Sequence, residues 1–153
     1  MAVKAQSVIF DQASRPFALY LHWPFCRAKC PYCDFNSHVS NDVDIKIFGD
    51  ALCAEMTHMA SLMPSRPPLS SLFFGGGTPS LMPPILVERL IRHAEDLFGF
   101  TDDIEITAEA NPTSVEADAM LGFQKAGVNR VSMGVQSLDD ASLKFLGREH
   151  SAA

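Results

Sequence analysis

The chain has 153 residues, with 12 Lys+Arg against 18 Asp+Glu and a formal net charge of −6. That length predicts one domain, and a composition of 47% hydrophobic and 20% charged residues excludes a disordered or collagen-like chain. The acidic balance argues against a nucleic-acid surface, no apolar run approaches the ~18–20 residues of a membrane span, and residues 1–20 lack the layout of a signal peptide, so the expectation is a cytoplasmic protein.

The predicted elements alternate strand and helix after an N-terminal tail of residues 1–16. Phe17 to Trp23 is an apolar run suited to a buried parallel strand. Residues 44–63 read as a helix, with Ile45, Phe48, Leu52, Met56, Met59 and Met63 on its core face and Cys53 as a small core residue beside them. Leu69 to Phe74 is a second strand, halted by Gly75-Gly76-Gly77. Pro83-Pro84 suits a helix start, because a first-turn amide needs no intrahelical partner, and the helix runs to about Phe98 with Val87, Leu90, Ile91, Ala94 and Leu97 on one face. His58 and His93 read as ordinary helix residues and Asp102-Asp103 as a solvated turn. In the third strand, Ile104, Ile106 and Ala108 point one way and Glu105, Thr107 and Glu109 the other. Thr113 to Glu116 has the capping-box pattern of a third helix, which Gly127 closes. Arg130 to Gln136 is a fourth strand, and Ser137 to Asp140 opens a fourth helix that Gly147 ends.

Four successive βα units imply an α/β fold with a parallel sheet. A complete eight-fold barrel takes ~250 residues, so four units predict a partial barrel. Arg148 to Ala153 supply no closing strand or cap, which predicts the front portion of a longer protein. Half a barrel leaves a sheet edge unpaired, and the segment by itself is expected to be unstable or to aggregate.

The polar signals fall at the carboxyl ends of the strands, where parallel α/β folds place their ligand sites. After the first strand, Cys26, Cys30 and Cys33 form a C-x3-C-x2-C cluster, and Cys53 stands apart. Three thiolates on one loop can hold three corners of a [4Fe–4S] cluster and leave the fourth iron open. The same residues also suit a zinc site completed by His22 or His38, or a Cys30–Cys33 redox pair. After the second strand, Gly75-Gly76-Gly77-Thr78 either brings amides to a bound carboxylate or simply makes a tight turn. Glu109 and Gln136 end the third and fourth strands at the same edge, a position open to a site role and to plain solvation alike.

Tyr20-Leu21-His22-Trp23-Pro24-Phe25-Cys26 running into Cys30-Pro31-Tyr32-Cys33 resembles the signature of radical S-adenosylmethionine (SAM) proteins, and within them the oxygen-independent coproporphyrinogen III oxidase-like family. Residues 74–80, 105–112, 131–137 and Leu146-Gly147-Arg148 are similar to that family in order and spacing, so the resemblance covers about residues 17 to 151. It implies that residues 17–153 are the N-terminal portion of a radical SAM core, with further strands and a C-terminal domain to follow. It implies that Cys26, Cys30 and Cys33 ligate the cluster, and that Tyr20 and Tyr32 line the pocket. Gly76, Gly77 and Thr78 would meet the amino-acid end of SAM, and Glu109, Gln136 and Arg148 would complete its site. In the family, the cluster gives one electron to the sulfonium and a 5′-deoxyadenosyl radical results.

Family oxidases carry another Cys two positions past the third cluster Cys, where this chain has Phe35. That departure resembles the haem chaperone branch, which binds haem and delivers it to haem proteins, and it makes haem the expected cargo and haem-accepting proteins the expected partners, beside an electron donor. Oxidative decarboxylation of coproporphyrinogen III to protoporphyrinogen IX, in porphyrin biosynthesis, is the enzyme alternative. An inactive or zinc-binding structural fragment is the third. His22 reads either as an axial haem ligand or as a strand histidine making ordinary hydrogen bonds.

Overall fold

The computed structural model of the chain describes residues 16–40 and 42–152, the side chains of 114–118 excepted. The expected N-terminal tail therefore lies almost wholly outside the described residues. Among them, the elements run β1 (Ala18–Trp23), β2 (Phe25–Cys26), β3 (His38–Val39), α1 (Ile45–Leu62), β4 (Leu69–Gly76), a 3-10 turn (Pro79–Leu81), α2 (Pro84–Phe98), β5 (Phe100–Ala110), α3 (Ser114–Ala126), β6 (Arg130–Met133) and α4 (Asp140–Phe145).

The main sheet has the order β1-β4-β5-β6, and every pairing in it is parallel. Its helix-facing side is closed by Leu72, Phe74, Ile106 and Ala108 of β4 and β5, packed with Met56 and Ala60 of α1, Leu86, Val87, Leu90 and Ala94 of α2, and Phe123 of α3. These side chains are at most 4% exposed, so the layer is continuous from α1 to α3. Truncating one of the fully buried residues, such as Phe74, costs about 3–5 kcal/mol by the usual cavity argument. Among the described residues, no helix is long and apolar enough to cross a membrane.

Helix boundaries follow local chemistry. Asp44 caps α1 through Ile47 N at 2.9 Å, and Asp139 caps α4 through Ser142 N at 2.8 Å. Pro84 begins α2, and left-handed Gly127 (φ 111°) ends α3 with its amide on Gln124 O at 3.1 Å and that of Val128 on Phe123 O at 3.0 Å. Thr113 precedes α3 without capping it through its side chain, and the Glu116 half of the expected capping box is outside the described side chains.

Several expectations are corrected. β4 continues through Gly75 and Gly76, because their backbones pair in register with His22 and Trp23 of β1. β5 begins at Phe100, so Asp102 and Asp103 are exposed strand residues and not a turn. A register shift after the Leu69–Phe100 pair absorbs the extra length. Thr107 is fully buried although it alternates with Ile106, because the middle of a central strand is covered on both faces. β6 stops at Met133, three residues before Gln136. In α1, Met59 is 52% exposed, since the core face follows Phe48, Leu52, Met56 and Ala60; Cys53, half-buried, packs against that core as expected. Two-residue strands carry no periodicity, so β2 and β3 escaped sequence reading.

Candidate metal and cofactor site

A cavity of about 410 Å³ opens at the carboxyl edge of the main sheet. Each wall is a strand end. β1 feeds through Pro24 into β2, which pairs in parallel with β3 and brackets the cysteine loop. Inside the loop, Cys33 N donates to Cys30 O at 3.0 Å, and Lys29 Nζ reaches Ser37 O at 3.4 Å. All four cysteines are free; Cys26 is buried, and Cys30 and Cys33 are half-buried.

The glycine turn locks this loop to the sheet. Gly77 N donates to Trp23 O at 2.6 Å and Thr78 N to Phe25 O at 2.9 Å. A Cβ at Gly77 would come within 2.7 Å of Phe25 O and 2.9 Å of Cys26 Sγ, so only glycine allows this approach. Gly76, at φ 118°, donates its amide to Glu109 Oε2 at 3.2 Å. The carboxylate that meets these amides within the chain is thus Glu109's own, and the turn's other two amides are engaged by backbone carbonyls.

The fourth wall is the loop after β6. Gln136 is the one non-glycine residue with positive φ (67°) among the described residues, and its neighbours form tight bonds, Val135 N to Met133 O at 3.0 Å and Ser137 N to Val135 O at 2.8 Å. Such a conformation costs of order 1–3 kcal/mol and persists only when the surroundings impose it. The expected strand-end position of Gln136 is therefore replaced by a strained loop, one that still brings it to the cavity. Arg148, just after left-handed Gly147, donates from Nη2 to Asn111 Oδ1 at 2.6 Å and Gly134 O at 2.7 Å, and from Nη1 to Cys30 Sγ at 3.4 Å.

Ten of the eleven expected site residues line this cavity: Cys26, Cys30, Cys33, Tyr32, Gly76, Gly77, Thr78, Glu109, Gln136 and Arg148. Tyr20 does not. It pairs with Phe73 three residues below the strand end, stacks on that ring at 6.0 Å, and sits against Gly75 with its hydroxyl 3.2 Å from His22 Nδ1. Partial burial, and then the Glu109 carboxylate, raise the Tyr20 phenol above its ordinary pKa. Burial first, and then the Cys30 thiol, raise that of Tyr32, with Arg148 opposing. Asn111, Gly134 and His150 also line the cavity and carried no sequence expectation; Asn111 could have been found from its place directly after the third strand.

His22 Nε2 donates to Asn36 O at 2.9 Å, which leaves Nδ1 to accept from Tyr20. Both nitrogens are engaged, so His22 makes the ordinary hydrogen bonds of a strand histidine. Among the described residues, no three His, Cys, Asp or Glu side chains converge on a point as a single zinc ion requires. A cuboidal cluster needs its thiolates at separate corners, and three free thiols around one cavity fit that demand. Arg148 also keeps a buried Nε without a partner, an N–H suited to an anionic group in the cavity.

The profile of the Radical SAM superfamily matches residues 20–153. The chain is 43% identical over 139 residues to the Bos taurus "Radical S-adenosyl methionine domain-containing protein 1, mitochondrial", covering 91% of this chain and 31% of that protein. It is 42% identical to "Heme chaperone HemW" of Escherichia coli strain K12, covering 88% and 36%. Among solved structures it is similar to coproporphyrinogen III oxidase (HemN) from Escherichia coli, described as a radical SAM enzyme, with TM-score 0.79, 34% identity and coverage of 91% and 32%. The chain spans about a third of the length of these relatives, so its parallel sheet corresponds to part of a barrel. With the family profile spanning nearly all of its residues, the chain belongs to the radical SAM superfamily.

Proposed function

We propose that this chain is the N-terminal, cluster- and SAM-binding portion of a haem chaperone. The observation that carries the proposal is the single cavity on which three free thiols, the glycine turn, Glu109, Gln136 and Arg148 all open. Cys26, Cys30 and Cys33 would hold three corners of a [4Fe–4S] cluster. Gly76, Gly77, Thr78 and Glu109 would bound the amino-acid end of SAM, Gln136 and Arg148 would close the site, and Tyr32 would cover it. When bound, the cluster supplies one electron for reductive cleavage of the sulfonium. The chain's own work is to hold the thiols apart and to clamp the turn against the loop. Four free cysteines suit a reducing compartment, in keeping with action in the cytoplasm.

Phe35 supports the chaperone reading over the oxidase. It lines the cavity at 63% exposure, at the position where the resemblance assigns the oxidases a further cysteine. The structural likeness to HemN supports the oxidase as the second reading. Anaerobic protein reconstituted with iron, sulfide and SAM and offered haem or coproporphyrinogen III tests both. Retained haem with no decarboxylated product is the expected result; conversion of coproporphyrinogen to protoporphyrinogen would overturn it in favour of the oxidase, and stoichiometric zinc without iron would leave only a structural fragment.

A further inference from the structure

Asn111 has no part in the reading above, yet it holds the residue that joins the two ends of the site. The Arg148 backbone is fixed after left-handed Gly147 by a bond from its amide to Leu143 O at 2.9 Å. Its Nη2 has two hydrogens, and both are taken, one by Asn111 Oδ1 at 2.6 Å at the end of β5 and one by Gly134 O at 2.7 Å at the end of β6. A planar guanidinium held twice at one nitrogen cannot swing, so the direction of its other nitrogen is set. That nitrogen, Nη1, points at Cys30 Sγ at 3.4 Å. Asparagine accepts the bond without carrying charge, so the guanidinium's positive charge is not cancelled at the place where it meets the sulfur. An aspartate there would aim the fork equally well and neutralise its field.

We infer that Asn111 and the Gly134 carbonyl are positioning groups that aim Arg148 at the Cys30 sulfur, so that Arg148 raises the reduction potential of an iron–sulfur cluster held by Cys30. The inference rests on the cluster reading proposed above. Hydrogen bonds to cluster sulfurs and nearby positive charge both stabilise the added electron, and they are among the principal protein controls of cluster potential. Arg148 thereby acts on electron entry, whether or not it also touches SAM.

The test is a redox titration of the anaerobically reconstituted protein without SAM, with dithionite as the one-electron reductant and the reduced cluster followed by its paramagnetic resonance signal. Arg148→Met should move the midpoint to more negative potential, and Arg148→Lys should move it less, because a charge remains without the fork. Asn111→Leu should move it in the same direction although every cysteine and Arg148 itself are kept. The potential is read on the loaded fraction, so poor loading of one variant does not mask the result. Midpoints of Asn111→Leu and Arg148→Met equal to that of the unaltered protein, with iron and sulfide present in all three, would overturn this inference and leave the cluster reading standing. An unaltered protein that takes up no iron or sulfide would overturn the cluster reading, and this inference with it.

Discussion

One arginine–cysteine pair lies at the strand ends and another in the groove between α1 and α2, and they differ in the backbone that carries the cysteine and in what else the arginine holds. At the strand ends, Arg148 reaches Cys30 on a loop that also carries Cys26 and Cys33. In the groove between α1 and α2, Arg89 lies beside Cys53 with Ile85 and His93, but its guanidinium is committed to Asp50 at 2.6 Å. Burial raises the pKa of Cys53, and Arg89 opposes that only in part. His93 Nε2 there donates to Cys53 O at 3.0 Å and lies 2.9 Å from Thr57 Oγ1, the local bonds of an ordinary helix residue. A helix offers one thiol to a groove, whereas a loop pinned at both ends can set three around a volume. Backbone path, and not the presence of cysteine or arginine, separates a site from a surface feature.

The comparison breaks most sharply on the thiols themselves. Cys26→Ser, Cys30→Ser or Cys33→Ser should each abolish iron retention after anaerobic reconstitution, because each supplies one iron's only protein ligand. Cys53→Ser should retain iron at the unaltered level. Equal loss from Cys53→Ser, measured as iron and sulfide per chain, would place the ligand set elsewhere.

A smaller effect separates two glycines. At Gly77 an added methyl meets Phe25 O and Cys26 Sγ inside 3 Å, contacts that are backbone and loop and cannot yield cheaply. Gly77→Ala should cost about 1–3 kcal/mol in a denaturant melt and also lower iron retention. At Gly49 of α1 the added methyl meets the flexible end of Leu86 at 2.6 Å. Gly49→Ala should change the melt less, since better helix propensity offsets the crowding by about 1 kcal/mol, and leave iron content unchanged. Iron lost equally from both would show that the turn has no special hold on the cysteine loop.

The smallest effect is alkaline. The folded-state pKa of Cys53 is raised, so the stability gained by keeping that thiol protonated is present below its unfolded value and is lost as pH rises through the folded one. Urea melts between about pH 8 and about pH 9.5, below the ordinary tyrosine range, should therefore decline less steeply for Cys53→Ser than for the unaltered chain. Identical slopes would show that the groove does not shield the thiol.

Much of this arrangement was legible in the residues. The apolar face of α2, the Pro84 start, the Gly127 stop and the C-x3-C-x2-C spacing are local patterns, and local sterics and periodicity suffice to read them. Ten of eleven candidate site residues reached one cavity because parallel strands bring their carboxyl ends to one edge. What the residues left open has one cause. Strand register sets Tyr20 against Phe73, with its ring beside Gly75 and His22, and Met59 is exposed because α1 is rotated toward Ala60. Neither register nor helix rotation is written in a single segment.

By itself, then, the sequence determined which segments form strands and helices, where the glycine turn lies, and that three sulfurs share a loop, since these depend on residues near one another along the chain. Only the tertiary structure decided that Gly76 donates to Glu109, that Gln136 is held at positive φ, and that Asn111 and Gly134 grip Arg148 against Cys30. Those contacts join the ends of different strands, and their geometry exists only once the sheet has fixed the strands side by side.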